Sequence, residues 1–228
     1  MIRSSLIALA AVTVFAAPVM AADLLVAEPA SQPAMSSSEW YLSLHVGGVS
    51  IAPVETTFVY GGPNTGDVSS DYGYRLGGAV GVELSDNVAI EGELSYATVN
   101  LSEFDYGVGT DSVEGTAATT SLMANFVLGT DMGGLRPYVG VGAGAVNVSL
   151  DIPELVFGGG DALNDNDWTW GAQVFAGLEV PVGENVYLGA RYRFQWIGDT
   201  SFNDDNSDPV SLGTIDAQSA ELTLRFSL

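Results

Sequence analysis

The sequence predicts an all-β fold, namely an eight-stranded antiparallel up-and-down transmembrane β-barrel. In eight segments, apolar residues recur at every second position, which is the period of a strand with one apolar face. A strand tilted by about 45° crosses a membrane in about 9–11 residues, and the segments are of about that length. The connections between the segments alternate between long and short along the chain.

The composition agrees with this prediction and excludes several classes of protein. The 228 residues include 28 glycines and are 47% hydrophobic, with a mean hydropathy of +0.26, which is too apolar for a disordered chain. Six Lys and Arg residues stand against 28 Asp and Glu residues, so the formal net charge is −22. A chain this acidic has no surface for a nucleic-acid backbone. The absence of cysteine excludes disulfide frameworks and thiolate chemistry.

The N-terminal part of the chain is predicted to be an export signal. Residues 1–22 combine Arg3, a short apolar run and small residues at the end, as a secretory signal peptide does. Residues 23–38 are rich in Ala, Pro and Ser and have no period, so they are predicted to be a disordered periplasmic lead-in. Residues 39–228 are assigned to the barrel. Since no later segment has 18 consecutive apolar residues, no transmembrane helix is expected.

Each predicted strand alternates an apolar set with a polar or small set. In the first strand, Trp40 and Leu42 alternate with Tyr41 and Ser43. Val, Ile, Leu and aromatic residues supply most of the apolar set, and β-branched and aromatic residues favour strands. In chain order, the strands are predicted at residues 40–47, 75–84, 88–97, 118–128, 138–145, 169–180, 188–196 and 220–228.

The connections and the aromatic residues indicate how the barrel is oriented. Short turns at one end and long loops at the other are typical of an outer-membrane barrel whose turns face the periplasm. Long loops are predicted at residues 50–72, 102–115, 151–167 and 198–216, and short turns at 85–87, 129–135 and 183–185. Two interfacial aromatic belts are predicted, with Trp168, Trp170, Tyr96 and Trp196 near the loops and Trp40, Tyr138, Tyr187 and Phe226 near the turns.

Alternation alone does not say which face is outside, since a soluble ligand-binding barrel has the same pattern with its apolar face inward. The polar face favours the membrane barrel, because glycines such as Gly77, Gly81 and Gly140 suit a narrow interior better than a solvated exterior. This face also carries arginines, which pair well with carboxylates in a confined space, and the chain has no lysine. We therefore predict a lumenal charge network of Arg75, Glu83, Glu91, Glu93, Glu179, Arg191, Arg193, Glu221 and Arg225.

The sequence resembles the small outer-membrane β-barrel proteins of Gram-negative bacteria, the porin-like and opacity-protein-like relatives of the OmpA transmembrane domain. The resemblance extends over the mature chain. It implies a location in the cell outer membrane, no shared catalytic residues, and a role in envelope integrity, adhesion or surface display, with solute passage in some members. The last strand resembles the signal read by the barrel-assembly machinery, although it ends in Leu228 where relatives usually have Phe or Trp. The residues that carry the resemblance are Met20-Ala21-Ala22-Asp23-Leu24, Trp40-Tyr41-Leu42-Ser43-Leu44, Arg136-Pro137-Tyr138-Val139-Gly140-Val141-Gly142-Ala143-Gly144 and Arg191-Tyr192-Arg193-Phe194.

Little in the sequence points to an enzyme or to a metal protein. A Ser/His hydrolase would need His45, the only histidine, beside a serine and an acid, but the register directs His45 into the lumen, away from lipid. No cofactor is expected. Hard cations bind carboxylate oxygens, but the acidic loops lack the spacing of a calcium-binding loop and are expected to be solvated. The weak metal candidates are Asp165, Asp167, Asp204 and Asp205.

Two classes of function remain open at this stage. One is a structural or surface-display protein that is closed to solutes and acts through acidic extracellular loops. The other is a narrow porin-like channel for small solutes. The expected partners are outer-membrane lipid and lipopolysaccharide, the barrel-assembly machinery and weakly bound divalent cations.

Overall fold

The computed structural model describes residues 39–59, 63–105, 109–153, 163–203 and 209–228, whose regular secondary structure is all β-strand. The predicted signal peptide and lead-in lie outside the described residues. Within the described ranges, no helix is long and apolar enough to cross a membrane. The strands are β1 (Glu39–Ile51), β2 (Val54–Val59), β3 (Pro63–Ser70), β4 (Gly73–Ser85), β5 (Val88–Asp105), β6 (Thr110–Gly129), β7 (Arg136–Ile152), β8 (Leu163–Pro181), β9 (Val186–Ile197), β10 (Thr200–Asn203), β11 (Pro209–Leu212) and β12 (Ile215–Ser227).

Eight of the described strands close into a ring. Each pairs antiparallel with two neighbours, in the order β1, β4, β5, β6, β7, β8, β9 and β12. The ring closes where β1 meets β12, with Leu42 opposite Phe226 and Val49 opposite Ser219. A closed ring satisfies the backbone hydrogen bonds of each strand within the protein, as a membrane requires. The predicted eight-stranded antiparallel barrel is confirmed.

The two faces of the barrel differ in polarity as predicted. The outward face is apolar, and Leu94, Leu122 and Leu222 are 58%, 60% and 62% exposed. The inward positions that alternate with them hold buried serine, amide, arginine and glutamate side chains. An apolar exterior around a polar interior is the arrangement of a barrel surrounded by lipid, so the soluble alternative is excluded for these segments.

Short turns join the strands at the end where β1 begins, as predicted. Asp86 and Asn87 connect β4 to β5, and the Asn87 side chain donates to the Gly129 carbonyl oxygen at 2.8 Å. Between β6 and β7, the Asp131 carboxylate accepts from the N–H of Gly133 at 2.7 Å. Gly133 has a φ of 76°, which glycine adopts without strain, so the aspartate and the glycine of this segment both favour the turn.

The long connections differ from the prediction, because many of their residues are strand. The β7–β8 ladder, for example, continues to Ile152 opposite Leu163. At this level the apolar set changes face, since Val141 is exposed on the outside whereas Val146 and Val148 are buried inside. A change of face at an unchanged period of two means that the strands leave the lipid and enclose a core of their own. The expectation of solvated loops is wrong at these positions.

Four short strands complete this extension. β3 pairs with β5, β2 with β3, β11 with β2, and β10 with β11, all antiparallel. We call the extension the outer ring, which comprises residues 54–59, 63–70, 101–105, 110–117, 146–152, 163–170, 200–203 and 209–212. The rest of the eight-stranded ring, toward the short turns, is called the lower barrel. The apolar core at and below the outer ring consists of Val54, Phe104, Val113, Met123, Val146, Val148, Leu150, Ile152, Leu163, Ile197, Phe202, Val210, Leu212 and Ile215.

Aromatic residues are exposed at two levels of the barrel, but not all of the predicted belt lies outside. Trp168 is 63% exposed near the outer ring, and Trp40 is 55% exposed near the short turns. Tyr138 points inward instead, is 8% exposed and packs edge-on against Phe175. Tyr187 likewise lies within cation–π range of a lumenal arginine. Both tyrosines share the strand face of the glycines, which places them in the lumen.

Candidate functional site

The interior of the lower barrel is the candidate site. The predicted charged residues lie on the inward faces of five strands, and Arg193 and Glu93 have no exposed surface. The structure adds Arg136, at the start of β7, which was not among the predicted residues because it precedes the alternating segment. The predicted positions are Arg75 and Glu83 on β4, Glu91 and Glu93 on β5, Glu179 on β8, Arg191 and Arg193 on β9, and Glu221 and Arg225 on β12.

The charged layer nearest the short turns is an alternating ring of two arginines and two glutamates. Arg136 lies 3.0 Å from Glu83 and 3.6 Å from Glu179. Arg225 also pairs with Glu83, and it lies 3.4 Å from Glu179. Each charged group contacts two of the opposite sign. The ring is formally neutral because it contains two arginines and two glutamates. It joins β4, β7, β8 and β12 across the lower end of the lumen.

An aromatic layer lies above this ring. The Arg225 guanidinium lies 4.2 Å from the centroid of the Tyr41 ring, and Arg191 lies 4.9 Å from that of Phe175. These rings occupy the space over glycines, since a Cβ on Gly81 would clash with Tyr41 and a Cβ on Gly140 would clash with Phe175. The small residues of the inward face therefore make room for a few large side chains.

The central charged layer is a denser cluster. Arg193 pairs with Glu93, and its Nε lies 3.1 Å from Glu221. Arg191 spans the same two carboxylates, at 3.7 Å from Glu93 and 2.6 Å from Glu221. Arg75 lies farther away, 3.9 Å from Glu221. The contacts of Arg193 with Glu93 and of Arg191 with Glu221 are charge-assisted hydrogen bonds, which are among the strongest in proteins, and the first of them joins opposite walls of the barrel.

Amide side chains, which were not among the predicted site residues, connect the charged groups. Arg193 donates to the Gln173 oxygen at 2.6 Å, and Gln173 donates to Asn125 at 2.8 Å. Asn125 in turn donates to Glu93 at 3.2 Å. Arg75 donates to the Gln195 oxygen at 2.6 Å. Their position on the inward face of predicted strands was the signal that would have found them.

Two lumenal groups are held differently. Glu91 accepts from neutral donors, the Tyr41 hydroxyl at 2.8 Å and the Asn125 amide at 3.4 Å. His45 is 4% exposed and lies 3.9 Å from Glu93, but neither of its ring nitrogens has a hydrogen-bond partner among the described residues. The histidine therefore has no serine to activate in this arrangement.

The charges of the interior balance, whereas those of the exterior do not. Five arginines and five glutamates line the lower barrel. These arginines are the only Lys or Arg residues that the structure describes, so none lies on the described outer surface. Sixteen described acidic residues lie outside this interior, and none of them is buried. The described exterior is therefore strongly negative.

The predicted metal candidates are engaged otherwise or lie outside the described residues. Asp165 and Asp167 accept hydrogen bonds from backbone N–H groups of β8 and β10. Asp204 and Asp205 are not among the described residues. Within the described part of the chain, no group of three or more His, Asp or Glu residues is arranged to hold a metal ion.

Comparison with known proteins identifies the fold independently. The family model described as the outer membrane protein beta-barrel domain matches residues 7–226. The chain is similar to outer membrane protein OprG from Pseudomonas aeruginosa, with 9% identity, coverage of 84% of this chain and 96% of that chain, and a TM-score of 0.58. It is also similar to the solid-state NMR structure of outer membrane protein AlkL in lipid bilayers, with 18% identity, coverage of 90% and 97%, and a TM-score of 0.51.

A third similar structure is an enzyme. The outer membrane protease OmpT from Escherichia coli has 7% identity, coverage of 83% of this chain and 97% of that chain, and a TM-score of 0.52. Likeness at such low identity shows the shared fold, and the family is largely non-enzymatic. None of the curated proteins matches the sequence.

Proposed function

We propose a structural and surface-displaying role for this chain. The chain belongs to the outer membrane protein β-barrel domain family, and it is located in the cell outer membrane. The barrel is closed to solutes and contributes to envelope integrity, adhesion or interaction through its acidic outer end. The observation that supports this best is the filled interior of the lower barrel.

The filling of the lumen argues against passage. A barrel of eight strands is just wide enough for side chains to fill. Here the lower charged ring, the aromatic layer and the central cluster follow one another along the axis, and Arg193, Glu93 and Gln195 have no exposed surface. Separating such pairs to admit a solute would leave buried charges without partners, which is costly.

The outer ring obstructs the lumen a second time. Its interior is apolar, and Phe202, Leu163 and Val146 have no exposed surface. A hydrated ion that passed the charged layers would then meet a packed hydrocarbon core. Charged side chains thus fill the lumen of the lower barrel, and apolar side chains fill that of the outer ring. This filling supports a display role over a conducting one.

The charge of the exterior indicates the partners. The described exterior, with sixteen acidic side chains and no Lys or Arg, attracts cations and cationic groups and repels anionic headgroups. Contact with lipopolysaccharide is therefore proposed to depend on divalent cations between the two anionic surfaces. The barrel-assembly machinery is the proposed partner of β12. Leu228, which follows this strand, donates from its N–H to the Trp40 carbonyl oxygen at 2.9 Å.

The proposed role does not include catalysis. The only histidine, His45, lies in the lumen without a hydrogen-bonded serine or acid among the described residues. Nucleophilic catalysis needs a base within hydrogen-bond reach of the nucleophile and a third group that orients the base. A lipid A deacylation assay with refolded protein is expected to give no product above a His45→Ala control.

The decisive experiment is conductance of the refolded protein in a planar lipid bilayer. The proposed closed barrel gives no steady conductance, only small and infrequent openings. A steady, large conductance that is unchanged by Arg193→Leu would contradict the filled lumen. It would establish the alternative, a narrow porin-like channel.

A further inference from the structure

The outer ring is closed on one side by side chains instead of a backbone ladder. β8 and β10 lie side by side there, but no ladder joins them in the described residues. The Asp167 carboxylate accepts from the N–H of the following residue at 2.8 Å and from the N–H of Ser201 at 2.9 Å. Asp165 does the same, from the following N–H at 2.8 Å and from Asn203 at 2.9 Å. Each carboxylate thus joins two N–H groups across the seam.

The other junctions of the β10–β11 hairpin are of the ordinary kind. β11 pairs with β2 through backbone, with Ser211 opposite Thr57 and Leu212 opposite Thr56. β2 continues through β3 to β5 by further ladders. The seam to β8 is therefore the one junction of the described outer ring that depends on two carboxyl side chains.

The same hairpin is joined to the lower barrel by two breaks in the strands. β9 ends before Gly198 and Asp199, and β12 begins after Gly213 and Thr214. The two breaks lie beside each other, because the Thr214 hydroxyl donates to the Asp199 carboxylate at 3.0 Å. β5, β6, β7 and β8, in contrast, run without a break from the lower barrel into the outer ring. Paired breaks of this kind are where a hinge would bend.

The inner face of the hairpin covers the apolar core. Phe202 on β10 has no exposed surface, and Thr200 is 3% exposed. Val210 and Leu212 on β11 are buried in the same core. If the hairpin turned outward about the two breaks, these residues and the edge of β8 would become accessible together.

We propose that the β8–β10 seam is a latch, at which the β10–β11 hairpin releases and opens the outer ring sideways while the lower barrel stays closed. The latch is made of Asp165 and Asp167, and its hinge is made of the two breaks. It gives the outer end of the protein two states, and only the released state exposes the β8 edge and the apolar core. The proposal is independent of whether the lower barrel conducts.

The experiment uses single cysteine reporters, since the chain has no cysteine of its own. Thr200→Cys places a thiol under the hairpin, and Ser219→Cys, also at a 3% exposed position, places one in the lower barrel. Labelling by a membrane-impermeant maleimide is timed in the refolded protein in lipid vesicles. The latch is weakened by Asp165→Asn with Asp167→Asn, because an amide presents one acceptor oxygen and turns an NH₂ toward the second N–H.

The matched control is Asp71→Asn with Asp151→Asn, which removes the same charge from exposed positions outside the seam. We expect the seam variant to raise the labelling rate of the Thr200→Cys reporter by about tenfold or more, because local opening sets that rate. The Ser219→Cys reporter and the control variant keep their slow rates. If the double variant does not refold, Asp167→Asn alone is expected to give a smaller rise in the same reporter.

Three results would overturn the latch. The first is an unchanged labelling rate at Thr200→Cys in folded seam variants. The second is an equal rise at Ser219→Cys, which would mean general loosening of the barrel. The third is the same rise in the control variant, which would mean that net charge and not the seam governs access. None of these results bears on the conductance of the lower barrel.

Discussion

Arg193 donates a hydrogen bond to Glu93 across the full width of the lumen. The arginine lies on β9 and the glutamate on β5, which are four strands apart in either direction around the ring. Neither side chain has any exposed surface. A pair that spans the diameter ties opposite walls together, so the middle of the barrel is closed by a bond between residues 100 positions apart in the chain.

This relationship predicts the effect of removing one partner. Arg193→Leu leaves the Glu93 carboxylate buried with fewer donors, and breaking a buried pair in this way costs about 3–5 kcal/mol. We expect the free energy of unfolding to fall by about that amount. The measurement is urea unfolding in detergent micelles, followed by tryptophan fluorescence.

A double variant and a comparison variant complete this test. Arg193→Leu with Glu93→Leu removes both charges, so it is expected to recover part of the loss. Arg136→Leu is the comparison: the Arg136 and Glu83 side chains are 13% and 21% exposed, so water compensates in part and a smaller loss is expected. Losses that simply add in the double variant would show that Arg193 and Glu93 do not stabilise each other.

The glycines of the inward face give a second prediction. A Cβ on Gly140 would clash with the Phe175 ring, whereas a Cβ on Gly92, which faces outward, has nothing within 4 Å. Gly140→Ala is therefore expected to destabilise the barrel by about 1–3 kcal/mol through overpacking. Gly92→Ala, the matched control, is expected to change the free energy of unfolding by less than about 0.5 kcal/mol. Equal effects of the two substitutions would contradict a packed aromatic layer.

The sequence was sufficient to predict the barrel and its faces, because period two is a local property of each strand. It was not sufficient to predict which side chains meet. Arg136 lies outside the alternating segment, and Gln173 and Gln195 reach their partners only once the register of the whole ring is known. Pairing between Arg193 and Glu93 likewise depends on closure of the barrel, and closure cannot be predicted from the residue pattern within a single strand.

The outer ring was missed for a different physical reason. Its strands are rich in acidic and small residues, and composition of that kind is typical of loops. The apolar positions that reveal it, such as Val146, Val148 and Leu150, continue the alternation on the opposite face. Asp165 and Asp167 were interpreted as loop residues, whereas the structure uses both carboxylates to bridge two strands.

The topology of the barrel predicts which residues are accessible from outside the cell. Cysteines introduced at Gly159 and Asn206, which lie in the long connections, are expected to react with a membrane-impermeant biotin reagent on intact cells. Cysteines at Asn87 and Glu184, which lie in the short turns, are expected to react only after the cells are opened. Labelling at Asn87 on intact cells would reverse the assigned orientation.

The charge distribution predicts how the protein inserts into membranes. Among the described residues, sixteen acidic side chains lie outside the lower barrel's interior and every arginine lies inside it, so the described exterior offers no Lys or Arg to anionic headgroups. At about 0.01 M salt the Debye length is about 30 Å, so repulsion from an anionic surface acts over the whole outer end. Refolding into phosphatidylglycerol vesicles is therefore expected to be slower than into phosphatidylcholine vesicles, and millimolar Mg²⁺ is expected to restore the rate only in the anionic vesicles. The folded fraction is followed over time by the mobility shift between heated and unheated samples on detergent gels. Equal rates in the two lipids at low salt would show that the acidic exterior does not govern its contact with lipid.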